Sequence, residues 1–338
     1  VGGGKGGVGK SVVAANLAAA IAGTGVRCAL VDADLGAANL HTLLGVSRPR
    51  RTLAHFLAGE VASLQDLLVQ SSVPNLWLVS GSQALLEMAN PKHSQKLRLL
   101  RHIRRLDVDH VVLDLSAGSA FNVLDFFLAS PRGLVVVTPE PTALDNAEHF
   151  LAAAFHRWLR GVARRPEVRA ALLRLGEDRR RRPARSAPEL IDQVREIDPP
   201  AAARLEERAR AFAPILVMNQ VRSTEQRQRG PELAASCGER LGLPLALAAT
   251  LDADPAVEEA LARCRPVLQV FPRCRFSRQL ELLTWSLLRD ERERRAQERA
   301  DASAADPPAT RQTAARPAPS QATEPLPLAA SPSGSRLP

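Results

Sequence analysis

Tyrosine is absent from the 338 residues, and aromatic side chains make up only 4% of them. A kinase that phosphorylates its own tyrosines is excluded on that ground. Cysteine is scarce: Cys28, Cys237, Cys264 and Cys274, with no C-x-x-C. That leaves neither a disulfide framework nor a zinc pattern, and it points to the cytosol. No run of about 18 apolar residues occurs, so no helix is expected to span a bilayer. No signal peptide is visible. The sequence also begins without Met and directly at a glycine-rich stretch. Only Val1 stands where a strand should lead into that stretch, so most of a central strand is expected to be missing.

Apolar residues are plentiful at 45%, enough for a core, and the length allows roughly two domains. The net charge of +9 sits largely in local runs. It permits attraction to nucleic acid or to an anionic membrane without requiring either.

The organising stretch is Gly4 to Ser11, which reads G-x-x-x-x-G-K-S, a P-loop. Its residues are Gly4, Lys5, Gly6, Gly7, Val8, Gly9, Lys10 and Ser11. Glycines let successive N–H groups approach phosphate oxygens. Lys10 would reach the β- and γ-phosphates, and the Ser11 hydroxyl would bind Mg²⁺. The Ala-rich run that follows reads as a helix with its N-terminus on the phosphates. Lys5 is a second lysine that an ordinary P-loop does not need.

Further along, short apolar runs end in polar residues where ligands bind in open α/β sheets. Residues 27–31 lead to Asp32 and Asp34, which read as a carboxylate that holds Mg²⁺ through its bound water and a water-orienting carboxylate. Capping of the next segment is the plain structural alternative. Residues 110–113 lead to Asp114, a Walker-B pattern and a further Mg²⁺ carboxylate, with a mobile turn at 115–118. No Glu follows Asp114, which leaves Asp34 to position water. Residues 214–218 lead to Asn219 and Arg222; this is not the N-K-x-D that reads guanine, so adenine is favoured. The fold class is α/β, a mostly parallel sheet flanked by helices. Residues 161–213 read as a helical insertion with a basic elbow at 179–185. Residues 289–300 read as a charged helical extension, and 301–338 as a disordered Pro-, Ala- and Ser-rich tail.

With these motifs in place, the chain resembles the MinD/ParA family of deviant-Walker-A (SIMIBI) ATPases over roughly residues 1–288. Lys5 to Ser11 is similar to their signature, Asp32 to Gly36 to switch I, and Asp114 to Gly118 to switch II. Asn219 and Arg222 match the adenine-side motif, and the stretch from Asp254 to Val267 looks like the loop over the base. The FlhG/FleN/YlxH branch, which regulates flagellar number and placement, is the one it most resembles. Ser116 departs from the family, standing where Gly or Pro is usual.

The resemblance implies ATP and Mg²⁺ as ligands and an ATP-dependent homodimer, in which Lys5 crosses to the partner's phosphates. It also implies slow, partner-stimulated hydrolysis and a regulatory protein partner. The address would be cytoplasmic, with peripheral attachment at the inner membrane or cell pole left open. Residues 289–300 lack an apolar face and 301–338 are broken by proline, so the C-terminal membrane helix typical of the family has no clear match. The Arg-rich segments leave open a ParA-like DNA-segregation role, and a non-hydrolysing nucleotide-binding scaffold is a further alternative. An Mrp-type iron–sulfur carrier would need paired cysteines, which Cys264 and Cys274 do not supply.

Overall fold

A computed structural model describes residues 1–34, 38–81, 91–130, 132–161, 166, 168, 170, 187–242 and 245–305. Helix α1 (Lys10–Gly23) is buried almost all round, from Val13 to Ala22. Its alanines keep it thin enough to lie close to the sheet. Strand β1 (Cys28–Asp32) is buried at every position, as a central parallel strand should be. Beyond it come α2 (Leu40–Leu43), α3 (Leu53–Ala58), a 3-10 turn at Leu64–Leu67, β2 (Leu68–Gln70) and β3 (Leu76–Val79).

The chain continues through α4 (His93–Ile103), β4 (His110–Asp114), α5 (Phe121–Phe127), β5 (Leu134–Val137) and α6 (Pro141–Arg160). Helices α7 (Ala187–Ile197) and α8 (Pro199–Arg210) follow, then β6 (Ile215–Val221), α9 (Thr224–Leu241) and β7 (Ala246–Asp252). Helices α10 (Pro255–Ala262), α11 (Val267–Val270) and α12 (Arg275–Ala305) complete the described chain.

Two sheet segments run β2-β3-β1-β4 and β5-β6-β7. All pairings are parallel except β2 with β3 at one edge. Val1 and Gly2 lie between the segments. Leu115 N donates to Val1 O at 3.0 Å, Gly2 N to Leu134 O at 2.8 Å, and Val136 N to Gly2 O at 2.9 Å. The glycine loop is therefore mounted at the middle of the sheet, between β4 and β5.

The helical character expected of 161–213 is present in α7 and α8, where these are described. A buried-edge contact docks them: Trp158 Nε1 donates to Arg208 O at 2.7 Å, and the Arg208 guanidinium lies 3.7 Å from the indole centroid. The basic elbow at 179–185 lies outside the described residues.

Val1–Asp290 forms one compact unit, and Glu291 onward belongs to a second. Within the first, α12 buries Phe276, Leu280, Leu283 and Leu288 but leaves Leu282 71% and Trp285 62% exposed. The run of apolar residues there is thus not one buried face, because Leu282 and Trp285 point away from it. Within the second, Arg294 and Arg295 pair with Glu291 at 3.1 and 2.7 Å. Helix runs on to Ala305, a little past the charged extension expected to end at 300, because the alanines at 302, 304 and 305 continue the helix-forming composition. The expected disorder of the rest of the tail, 306–338, lies outside the described residues. No helix among the described residues is long and apolar enough to cross a membrane.

Candidate functional site

The loop from Gly4 to Ser11 opens at the C-terminal edge of the sheet. Helix α1 begins without a side-chain cap, since Gly9 holds φ +90° in the left-handed region. The first amides of the helix are thereby left free for an anion. Two glycines are dictated by the protein as well as by any ligand. A Cβ on Gly4 would sit 2.1 Å from Asn146 O on α6, and one on Gly9 would sit 2.4 Å from Asn219 Nδ2. Added Cβ atoms at Gly6 and Gly7 would meet nothing within 4 Å, which leaves that side of the loop open. Gly9→Ala is expected to cost about 1–3 kcal/mol through the positive φ and the displaced Asn219. Chemical denaturation measures it, and an unchanged midpoint would contradict the steric argument.

The two loop lysines differ. Lys10 is only 8% exposed, and its Nζ donates to Lys5 O at 3.0 Å. Burial lowers its pKa, opposed by Asp114 and Asp34. Lys5 extends the other way, and its Nζ donates to Thr142 Oγ1 at 2.8 Å on the first turn of α6. Nothing in the sequence near Thr142 marked it as a partner for the loop.

Three carboxylates stand at adjacent strand ends. Asp32 on β1 and Asp114 on β4 are register neighbours, 1% and 2% exposed. Burial first, and Asp114 second, push Asp32 up to about 7, against the pull of two amide hydrogen bonds. Those amides are Asp34 N on Oδ1 and Leu40 N on Oδ2, each at 3.2 Å. Both oxygens of Asp32 are thus engaged, partly at the start of α2 as the capping alternative expected. Burial pushes Asp114 up to about 6, opposed by a hydrogen bond with Ser11. Its Oδ1 is buried with no hydrogen-bond partner.

An orphaned carboxylate oxygen beside a serine hydroxyl, with a second carboxylate behind, fits a hard divalent cation. Ser11 and Asp114 fit direct coordination, and Asp32 fits a water-mediated place. Asp34 is half-buried at the mouth of the loop. In the turn after β4, Gly118 adopts φ +92° and donates its N–H to Gly3 O at 3.2 Å, so the turn leans on the loop.

On the far side, β6 carries a bulge. Its register with β7 shifts between Met218 and Val221, and Gln220 has φ +61°. The bulge aims Asn219 at the loop, where Nδ2 donates to Val8 O at 2.9 Å. Asn219 here clamps the loop. Arg222 is exposed, with its backbone N–H on Gln226 Oε1 at 2.8 Å. Asp254 caps α10 through Ala256 N at 3.0 Å and also accepts from Phe276 N at 3.1 Å. Arg222 and Asp254 line a cavity of about 620 Å³ at the ends of β6 and β7. Sequence reasoning missed Asp252, Arg227 and Arg275 on its wall. The signal was there: Asp252-Ala253-Asp254 repeats the Asp32-Ala33-Asp34 pattern after a strand.

A central parallel sheet, a phosphate-type loop at its middle and strand-end carboxylates beside it define a P-loop NTPase. Comparison with known proteins places it further. Residues 1–156 match the ParA family profile, described as NUBPL iron-transfer P-loop NTPase. The antiactivator FleN of Pseudomonas aeruginosa is 39% identical over 147 residues, covering 43% of this chain and 51% of that protein. Septum site-determining protein MinD of Thermotoga maritima is 34% identical over 152 residues, covering 44% and 54%. Flagellum site-determining protein YlxH of Helicobacter pylori is 32% identical over 155 residues, covering 43% and 49%.

The matches span about half the length of these curated relatives. MinD of Pyrococcus horikoshii, solved with Mg-ADP, superposes with a TM-score of 0.58 at 19% identity, over 85% of this chain and 93% of that one. Residues 1–156 are thus similar to the ParA family of P-loop NTPases, and the fold is MinD-like. The iron transfer in the profile's description belongs to the protein named there. Here Cys28 and Cys237 are buried, and burial pushes each thiol up to about 12.

Proposed function

We propose that the chain is a MinD/ParA-like ATPase acting as an ATP-dependent dimerisation switch for spatial regulation, of flagellar number and placement or of cell-pole organisation. The observation that carries this reading is the division between the two loop lysines. Lys10 is buried among the site carboxylates, and Lys5 extends out of the loop to Thr142. A lysine so placed can leave Thr142 and reach phosphates bound by a second copy, a cation delivered in trans.

In this reading the loop amides and Lys10 bind the triphosphate of ATP. Mg²⁺ held by Ser11 and Asp114, with Asp32 behind, would neutralise phosphate charge. Asp34 orients the attacking water, and Asn219, Arg222 and Asp254 shape the base side. The names of FleN and YlxH support the flagellar branch, and a solved MinC:MinD complex of Aquifex aeolicus supports a protein partner. Hydrolysis is slow until that partner binds, and the protein is cytoplasmic, with peripheral attachment at the inner membrane or pole.

Light scattering of the full-length protein should show a dimer with Mg-ATP and a monomer with ADP. Asp34→Ala should retain ATP binding and lose about 100-fold in turnover. Equal turnover would remove Asp34 from the mechanism, and no turnover in the wild type, even with candidate partners, would favour the non-hydrolysing scaffold. Exposed Arg101, Arg104 and Arg105 at the end of α4 favour a second reading, non-specific DNA binding in the ATP dimer. That reading requires ATP-dependent DNA affinity that falls steeply with salt.

A further inference from the structure

Helix α5 buries Val123, Leu124, Phe126 and Phe127, and the helical repeat leaves Phe121 opposite that face. Its ring is 68% exposed. Among the described residues it is the one exposed phenylalanine; the others are buried or half-buried. A single exposed apolar side chain is ordinary on a protein surface, but the neighbours of this one are not.

The segment from Leu115 to Leu124 holds no charged residue, although the chain carries +9 overall. Within it Ala117, Ser119, Ala120 and Phe121 are exposed. The same segment leans on the glycine loop, where Gly118 N donates to Gly3 O at 3.2 Å. Phe121 follows Gly118 so closely that at most about 11 Å of chain separates them. Lys5 follows Gly3 just as closely, so the ring and the second lysine branch from one contact. The ring is also held. The Arg157 guanidinium lies 4.9 Å from its centroid and is itself tied to Asp125. One face of the ring is thereby covered and its orientation set, while the rest stays open to solvent.

We propose that Phe121 is the apolar anchor through which this chain meets a second copy of itself when ATP is bound. This rests on the reading of the chain as an ATP-dependent dimer and deepens it by naming the surface. About a twofold axis the same patch faces itself, so any charge on it meets its like. Two copies at +9 each repel, and like charges set opposite one another add to that cost. An uncharged strip beside the loop avoids it. Interface cores are depleted of charge and anchored by aromatic rings, as this strip is. A ring already oriented by Arg157 loses little freedom on docking. Because Phe121 closely follows the turn after Asp114, nucleotide at the loop can present the ring or withdraw it. Arg157 acts through the ring and is a positioning residue.

Analytical ultracentrifugation of the full-length protein over a dilution series with Mg-ATP gives the dimer dissociation constant, and calorimetry with Mg-ADP gives the nucleotide affinity of one copy. Phe121→Ser is expected to weaken dimerisation about 30-fold, and Phe121→Leu, which stays apolar, by no more than about threefold. Phe121→Arg should abolish it, since each copy then sets a charge against its like. All three should bind Mg-ADP as the wild type does, and the exposed position lets all three fold. If the wild type dimerises and Phe121→Ser dimerises equally well, the anchor is overturned and the switch reading stands. A wild type that stays monomeric with Mg-ATP overturns both. Mg-ADP binding that weakens in step with the dimer overturns the anchor, because the ring then acts within one copy. So does an intact Phe121→Ser dimer that has lost stimulation by a regulatory protein, since that protein is then what covers the ring.

Discussion

Lys5→Ala is expected to keep ATP binding, abolish ATP-driven dimerisation and lower partner-stimulated turnover by about 10³-fold. The monomer should barely notice. The Lys5 side chain makes one described hydrogen bond, to Thr142 Oγ1, and that bond is exposed to solvent. An exposed hydrogen bond contributes about 1 kcal/mol or less to stability. Lys10 keeps its place without the Lys5 side chain, because it bonds the Lys5 backbone carbonyl. The loss therefore falls on the trans contact alone. Lys10→Ala is the contrasting variant, which should lose nucleotide binding itself. Light scattering with Mg-ATP separates the two, and a Lys5→Ala chain that dimerises and turns over normally would end the switch mechanism.

The phosphate loop and the strand-end carboxylates could be read from the sequence because each is local. Gly4 to Ser11 lie within one turn, and Asp32 and Asp114 each end a short apolar strand. The geometry added a ranking among them. Asp114 keeps an orphaned oxygen and Asp32 does not, a distinction that depends on the amide of Leu40 reaching back to Asp32. Other parts were illegible for a physical reason. Lys5 with Thr142, Asn219 with Val8, and Asp252 with Arg227 and Arg275 are contacts between residues far apart in sequence. The β6 bulge that aims Asn219 rests on Gln220 at positive φ, which no propensity announces. Asn219, expected on the adenine side, also holds the loop through Val8 O. The antiparallel edge pairing of β2 was also hidden, since a strand from Leu68 to Gln70 is too short to show alternation.

The turn after β4 needs a fixed base if it is to respond to nucleotide, and that base yields the second large effect. Helix α5 starts at Phe121, just past Gly118, and Asp125 on it pairs with Lys96 of α4 and Arg157 of α6. Lys96 is 7% exposed. Burial alone would raise the Asp125 pKa, but the two cationic partners win and hold it below the ordinary carboxylate range. Its stabilising contribution is thus complete above about pH 4 and fades as the pH falls through its lowered folded value.

Asp125→Ala leaves a buried ammonium unpaired and is expected to cost about 3–5 kcal/mol at pH 7, lowering Tm by roughly 10 °C. Its deficit against the wild type should shrink below about pH 4, where the wild-type carboxylate is itself being neutralised. Lys96→Met in the Asp125→Ala background should recover most of the loss, because it removes the stranded charge. Urea denaturation across pH 3–7 reads all three effects. A deficit that stayed constant with pH, or a double variant no better than Asp125→Ala, would show that α5 is held by packing and not by this triad.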